Sequence, residues 1–276
     1  MGVKKMAALN EGVRPCALVT GASSGIGQAF AERFAADGYD LVVVARRRER
    51  LEELATKLRS RHEANVDILV ADLTNATDLR QVEQRVAGDD ALQMLVNNAG
   101  FGAYGPFVQL DPGRAEEQIK LQIVAPTRLT RAALPGMIAR KQSTIINVSS
   151  ILAFSGSLPS PPLPARATYA ATKAFLNTFT ELLHSELAGT GVRAQVLCPA
   201  TVRTEFHRIQ GIDPDRSPVV PMSAEEVVQA ALAALKAGEL ICLPGVEDSK
   251  VIAEYQQAQT RVAQSGMPNK LASRYR

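Results

Sequence analysis

The run Asp40-Leu-Val-Val-Val-Ala45 constrains this chain more than any other stretch, because its interior has no polar face. A strand that alternates apolar and polar residues can leave one side of its sheet in water. A continuously apolar strand has to be covered on both sides. CALVT (16–20), VDILVA (66–71), MLVN (94–97), TIINVS (144–149), RAQVLC (193–198) and LICL (240–243) also read as strands without regular alternation. Between them, stretches such as RLEELATKL and AFLNTFTELLHSEL carry apolar residues at helical spacing. Strands that need cover on both faces, separated by helices that can supply it, predict an α/β fold. The expected form is a Rossmann-type, doubly wound parallel sheet of about seven strands flanked by helices.

No internal repeat or long linker divides the chain, so residues 13–245 read as a single domain. Residues 246–276 read as a partly helical C-terminal extension. A chain of 276 residues with 46% hydrophobic and 21% charged residues can bury the core such a sheet requires. Its net charge of +3 is too mild to point to nucleic acid. No apolar run approaches the ~20 residues of a membrane span, and MGVKKMAALNEGVRP lacks the apolar stretch of a secretory signal. Cys16, Cys198 and Cys242 each sit in an apolar, strand-like run, which predicts buried, reduced thiols and a cytoplasmic protein. His62, His184 and His207 are scattered without metal-ligand spacing, so no metal is expected.

Two segments break the alternation. SGSLPSPPLPAR (155–166) has too many prolines for a helix or a central strand. TEFHRIQGIDPDRSPVVP (204–221) is loop-like and runs into SAEE, a capping box of Ser223 and Glu226 that opens the next helix. Both follow the C-terminal ends of strands, the edge at which open parallel sheets bind ligands.

TGASSGIG (20–27) follows the first strand and opens the first helix. Without side chains, Gly21, Gly25 and Gly27 let the chain turn tightly and let the helix approach the sheet. The backbone N–H groups of Ser23, Ser24 and Ile26 can then face a pyrophosphate. An NAD site of this architecture places an acidic residue about 20 positions further on, for the ribose hydroxyls. Here that region reads Ala45-Arg46-Arg47-Arg48. It has no carboxylate to repel a 2′-phosphate, and the guanidinium groups of Arg46 and Arg47 can pair with one. These cations also stand at a helix N-terminus, where they oppose the macrodipole and an anion would relieve the conflict. NADP(H) is therefore the expected cofactor.

TGASSGIG, NNAG (97–100), YAATK (169–173) and CPATVRT (198–204) occur together in the order found in the short-chain dehydrogenase/reductase family, which this chain resembles from about Val13 to Gly245. The resemblance implies cofactor contacts from Asp72 and Leu73 around the adenine, and from Asn98, Ala99 and Gly100. It implies further contacts from Pro199, from Thr204 at the nicotinamide carboxamide, and from Tyr169 and Lys173. The family's glycine after that proline is Ala200 here.

Tyr169 and Lys173 are four apart on a helix and share a face. A phenol titrates near 10, and a neighbouring ammonium is expected to lower that value, making the phenol a usable acid or base. The resemblance adds Ser150, at the end of IINVSS, as the hydroxyl that holds the substrate oxygen; Ser149 is its neighbour. It also implies that Lys173 holds the nicotinamide ribose. Two features depart from the family. Gln122 stands where an asparagine usually holds a proton-relay water, and Pro126 cannot donate to its carbonyl, so the relay could run through backbone. The spacing from Ser150 to Tyr169 is also longer than usual, with the proline-rich segment as the excess. That excess reads either as a wall on the substrate pocket, with Phe154 and Leu158 as apolar surface, or as a tolerated surface insertion.

The expected function is hydride transfer between NADP(H) and a carbonyl or alcohol, with Tyr169 as the acid/base. The alternative is a turnover-deficient NADP-binding regulator or scaffold on the same fold, for which Gln122 speaks and Ser150, Tyr169 and Lys173 do not. A cofactor-free lyase would tolerate loss of the glycine turn and the lysine, and both are present. Phe101, Phe154 and Phe206 point to an apolar small-molecule substrate. Apolar residues on more than one face of 113–140 and 169–189, with the family's habit of pairing these helices, predict a homodimer or homotetramer.

Overall fold

The computed structural model describes residues 14–161, 163–208, 220–267 and 270–276. Seven strands form one parallel sheet: β1 (Cys16–Thr20), β2 (Asp40–Ala45), β3 (Val66–Val70), β4 (Leu92–Asn97), β5 (Ser143–Val148), β6 (Val192–Leu197) and β7 (Ile241–Cys242). Their spatial order is β3-β2-β1-β4-β5-β6-β7. The seven expected strands are the seven observed, although β4 starts two residues early and β7 is only two residues long. The helices are α1 (Gly25–Ala36), α2 (Arg48–His62), α3 (Ala76–Ala87), α4 (Pro112–Ile119), α5 (Ala125–Arg140), α6 (Ala167–Glu186), α7 (Glu205–Arg208), α8 (Ala224–Ala237) and α9 (Lys250–Gly266).

Strand β2 shows why its sequence has no polar alternation. Leu41 and Val43 face one apolar cluster with Phe30 and Phe34 of α1, Leu51 and Leu58 of α2, and Val227 of α8. Val42 and Val44 face the opposite cluster, with Leu79 of α3, Leu129 and Met137 of α5, and Leu183 of α6. Each such side chain contributes on the order of 1.5–3 kcal/mol, so a polar residue on either face would cost comparably.

The strand order reverses between β1 and β4, whose successors run outward to opposite sides. The loops after β1 and β4 therefore part above the sheet's C-terminal edge, in the crevice where such sheets bind ligands. The capping box at the start of α8 is formed: Ser223 Oγ accepts from the Glu226 N–H and the Glu226 carboxylate accepts from the Ser223 N–H. Helix α4 continues into α5 through one π turn, Lys120–Val124, in which the Ala125 N–H reaches back to the carbonyl of Lys120. Pro126, with no N–H to give the helical ladder, follows directly.

Segment 155–166 is neither helix nor strand among its described residues. It is clamped by Arg166, a buried residue whose guanidinium donates to Ser155 Oγ and to the carbonyls of Ser155, Leu158 and Pro164. The expected loop 204–221 begins with the helical turn α7, and its residues 209–219 lie outside the described residues. Residues up to Pro244 form one compact unit; those from Gly245, which include α9, form a second. Among the described residues no helix is long and apolar enough to cross a membrane.

Candidate active site

The turn after β1 is shaped by what its glycines lack. Gly21 (φ +67°) and Gly25 (φ +58°) adopt left-handed backbone, and a Cβ on Gly27 would lie 2.4 Å from the Gly21 carbonyl oxygen. Asn98 braces this turn from the loop after β4, donating to the Thr20 carbonyl at 2.9 Å. The N–H groups of Asn98 and Ala99 both donate to Thr20 Oγ1. Thr204, after β6, packs its methyl where a Gly25 side chain would have to go. The expected contact residues Gly21, Ser23, Ser24, Gly25, Ile26, Gly27, Asn98, Ala99 and Thr204 thus meet at one place.

Ser24 precedes α1 in the N-cap position, yet its side chain makes no cap bond to the helix. Its hydroxyl instead accepts from Arg47 Nη2 at 2.8 Å, which leaves the first N–H groups of α1 for an external acceptor. Arg47 also donates to Ser23 Oγ and to the carboxylate of Glu205 at 2.7 Å. Arg46 is 70% exposed, with Asp72 Oδ2 3.8 Å away. Asp72 Oδ1 accepts from the N–H and hydroxyl of Thr74, while Leu73 is buried beside it. A glycine cradle and an uncapped helix start fit the pyrophosphate of a dinucleotide, with the guanidinium groups of Arg46 and Arg47 at the end of β2.

At the ends of β5 and α6 the structure separates the two serines. Ser149 Oγ donates to the Lys173 carbonyl at 2.9 Å and is a strut between strand and helix. Ser150 is a polar neighbour of the Tyr169 phenol that favours its phenolate, across the nineteen positions between them. Ser150 Oγ also accepts from the Leu152 N–H at 3.1 Å. Tyr169 is 5% exposed, and burial pushes its phenol up to about 12, with hydrogen bonds from Ser150 and Tyr104 pulling the other way. Lys173 is equally buried; its Nζ donates to the Val148 carbonyl at 2.8 Å and lies 5.8 Å from the Tyr169 ring centre. Burial lowers its ammonium to about 8. The lowering of the phenol expected from Lys173 is therefore not what the structure gives, because desolvation of both groups outweighs their attraction. Tyr169 rests as a neutral phenol with its proton in place.

A sequence profile described as short chain dehydrogenase matches residues 15–213. The chain belongs to the short-chain dehydrogenase/reductase family. Among solved structures it is similar to a short-chain dehydrogenase from Sphingobium yanoikuyae in complex with NADPH: 37% identity, TM-score 0.89, covering 95% of this chain and 100% of that one. It is also similar to the bulky-bulky ketone specific alcohol dehydrogenase from Comamonas testosteroni: 34% identity, TM-score 0.85, covering 95% and 98% of the two chains. A human relative named inactive hydroxysteroid dehydrogenase-like protein 1 is 33% identical over 69% of this chain and 56% of its own length. The chain spans less than two thirds of the length of several curated relatives that it matches.

In this short-chain dehydrogenase/reductase Gln122 is built into the frame. Its Nε2 donates to the Phe101 carbonyl at 2.7 Å and its Oε1 accepts from Thr172 Oγ1 at 2.6 Å, tying the loop after β4 to α6. The longer side chain fits because Gly100 has no Cβ; one there would stand 2.9 Å from Gln122 Nε2. The side-chain amide is thus committed to two protein partners beside Lys173. Phe101 stacks under Arg114. Phe206 packs on Tyr169 with ring centres 6.0 Å apart, and Leu158 is 54% exposed.

Sequence reasoning missed Tyr104 and Glu205. Tyr104, in the loop after NNAG, sets its ring edge-on to Tyr169 at 5.2 Å, and its hydroxyl is a polar neighbour that favours the Tyr169 phenolate. Burial and the Tyr169 phenol hold the Tyr104 phenol well above its ordinary range. A donor aimed at the Tyr169 oxygen favours the phenolate, by about 1 kcal/mol for an ordinary hydrogen bond. Tyr104→Phe should therefore shift upward, by roughly half a unit to one unit, any limb of a pH–rate profile that reports the Tyr169 phenol. An unshifted profile would show that Tyr104 only packs.

Proposed function

We propose that this chain is an NADP(H)-dependent oxidoreductase that interconverts a carbonyl and an alcohol, with Tyr169 as its acid and base. The observation that carries the reading is that buried Tyr169 has Ser150 as a neighbour of its phenol and the Lys173 ammonium 5.8 Å from its ring, at the same sheet edge as the glycine turn. The nicotinamide would supply the hydride to the carbonyl carbon, or receive it from the alcohol carbon. Tyr169 gives its proton to the carbonyl oxygen while Ser150 turns its hydroxyl toward that oxygen. The phenolate left behind keeps Tyr104 as a polar neighbour. With the phenol at about 12 and the ammonium at about 8, a proton settles on Tyr169 in preference to Lys173, so Lys173 recharges it. In the alcohol direction the transfers reverse.

The choice of NADP(H) is supported by Arg46 and Arg47, and by the NADPH complex of the Sphingobium relative. Arg46→Asp is expected to raise the Michaelis constant for NADPH about tenfold or more and to favour NADH, the scale of a lost guanidinium–phosphate contact. A wild-type preference for NADH would overturn that part of the reading. An apolar and bulky substrate is supported by Tyr104 and Phe206 against Tyr169, and by the named specificity of the Comamonas relative. Pairing into a homodimer or homotetramer belongs to the same proposal, supported by exposed Ile119, Val124, Ile138 and Leu182 on the helices concerned. A cytoplasmic setting is supported by three free, buried cysteines.

A second reading, a turnover-deficient NADP-binding protein, is favoured by the committed Gln122 amide and by the relative named inactive. Turnover of a panel of bulky ketones, aldehydes and alcohols with NADPH and NADH decides between the two. Consumption of NADPH with any member supports the enzyme, and binding without consumption across the panel supports the other.

A further inference from the structure

We propose that Glu205 is a cofactor-discriminating residue: its carboxylate occupies the guanidinium that a 2′-phosphate requires and must be displaced when NADP(H) binds. The inference rests on the dinucleotide reading of the glycine turn and goes beyond it, because it concerns a residue from a different loop. Glu205 opens α7, yet its carboxylate reaches the start of α2, 2.7 Å from Arg47 Nη1 and 3.8 Å from Arg50 Nη2. Two guanidinium groups are surroundings that a phosphate can use. A carboxylate in that position is an anion supplied by the protein itself.

The carboxylate and a dianionic phosphate cannot share Arg47 without standing a few ångströms apart, where like charges repel. Arg47 Nε and Nη2 are engaged by Ser23 and Ser24, so Nη1, the nitrogen that holds Glu205, is the one left to meet a further anion. A dinucleotide without the 2′-phosphate makes no such demand, so only NADP(H) competes with Glu205.

The test uses adenosine 2′,5′-bisphosphate and AMP as probes, which differ by the phosphate alone, with affinities measured by calorimetry on the full chain. Glu205 is part-exposed, and Glu205→Gln keeps its size while removing the charge. The expected result is a dissociation constant for the bisphosphate about fivefold lower or better, with AMP unchanged, the scale of relieving one part-exposed charge contact. In an Arg47→Ala background the same substitution should leave bisphosphate affinity unchanged. Bisphosphate binding that is unaltered or weaker in Glu205→Gln overturns the proposal, as does an equal gain for AMP. If wild type prefers the bisphosphate and Glu205→Gln changes nothing, this inference fails alone. If neither protein discriminates the two probes, the NADP(H) reading fails with it. A preference that emerges only in Glu205→Gln supports the competition.

Discussion

Tyr169→Phe is expected to lower kcat by about two decades or more, the range of a lost general acid, while dinucleotide affinity stays within about twofold. The ring is 5% exposed and keeps its contacts with Tyr104 and Phe206, so the variant loses one oxygen from an otherwise unchanged packing. Removing that oxygen costs on the order of 1–2 kcal/mol of stability, too little to unfold the chain. Burial holds the phenol at about 12, so wild-type Tyr169 keeps its proton at neutral pH, the form that the proposed mechanism needs. The variant has no exchangeable proton at that point. Stopped-flow turnover combined with titration of NADPH fluorescence separates chemistry from binding. Near wild-type turnover in Tyr169→Phe would remove Tyr169 from the mechanism.

What the sequence discloses and what it hides divide along distance in the chain. The strands are legible because their signal is local: a run such as Leu41–Val44 that must be covered on both faces cannot be an exposed edge or a loop. The capping box at Ser223 and the glycine turn at 20–27 are legible for the same reason, since three or four adjacent residues state the geometry. Glu205 is hidden because it meets Arg47 across 158 positions. The positions Ala45–Arg48 have no carboxylate in sequence, yet Glu205 brings one to Arg47 in space. Tyr104 lies in a loop with no periodicity, and only the fold turns its ring onto Tyr169.

Gln122 is an intermediate case. Pro126 advertises a break in helical bonding, and the break appears as the π turn Lys120–Val124. Composition could not tell that the glutamine amide is taken by Phe101 and Thr172, because that depends on Gly100 giving it room. The proline-rich segment 155–166 is likewise visible as an irregular loop but not as an anchored one. Its anchor, Arg166, buries a guanidinium among neutral oxygens, and the adjoining Ala165 carbonyl accepts from the Gly105 N–H, next to Tyr104. A tolerated surface insertion would not be held in that way, so the segment is part of the frame that sets Tyr104 on Tyr169.

Lys173→Met should make the protein more stable and nearly inactive, and the two effects have one physical source. Burial depresses the ammonium from its ordinary 10.5 to about 8, so at pH 7 the folded chain holds a charge that water would solvate better. The gap corresponds to about 3 kcal/mol of differential cost at ~1.4 kcal/mol per pKa unit. Methionine fills a similar volume without charge, but it leaves the Val148 carbonyl without the Lys173 bond, a loss of ~1–2 kcal/mol. The expected net is ~1–2 kcal/mol of added stability at pH 7, a melting temperature higher by a few degrees. The pH dependence has a definite sign. Between about 8 and 10.5 the unfolded wild type binds more protons than the folded one, so wild-type stability rises with pH across that window. The advantage of methionine is therefore full below pH 8 and gone above about 10.5, where melts of the two proteins should meet or cross. Activity moves the other way: without the ammonium nothing recharges the Tyr169 phenolate, and kcat/KM should fall by ~100-fold or more. A variant that melts below wild type at pH 7 would show that the buried ammonium is stabilised by its surroundings rather than strained by burial.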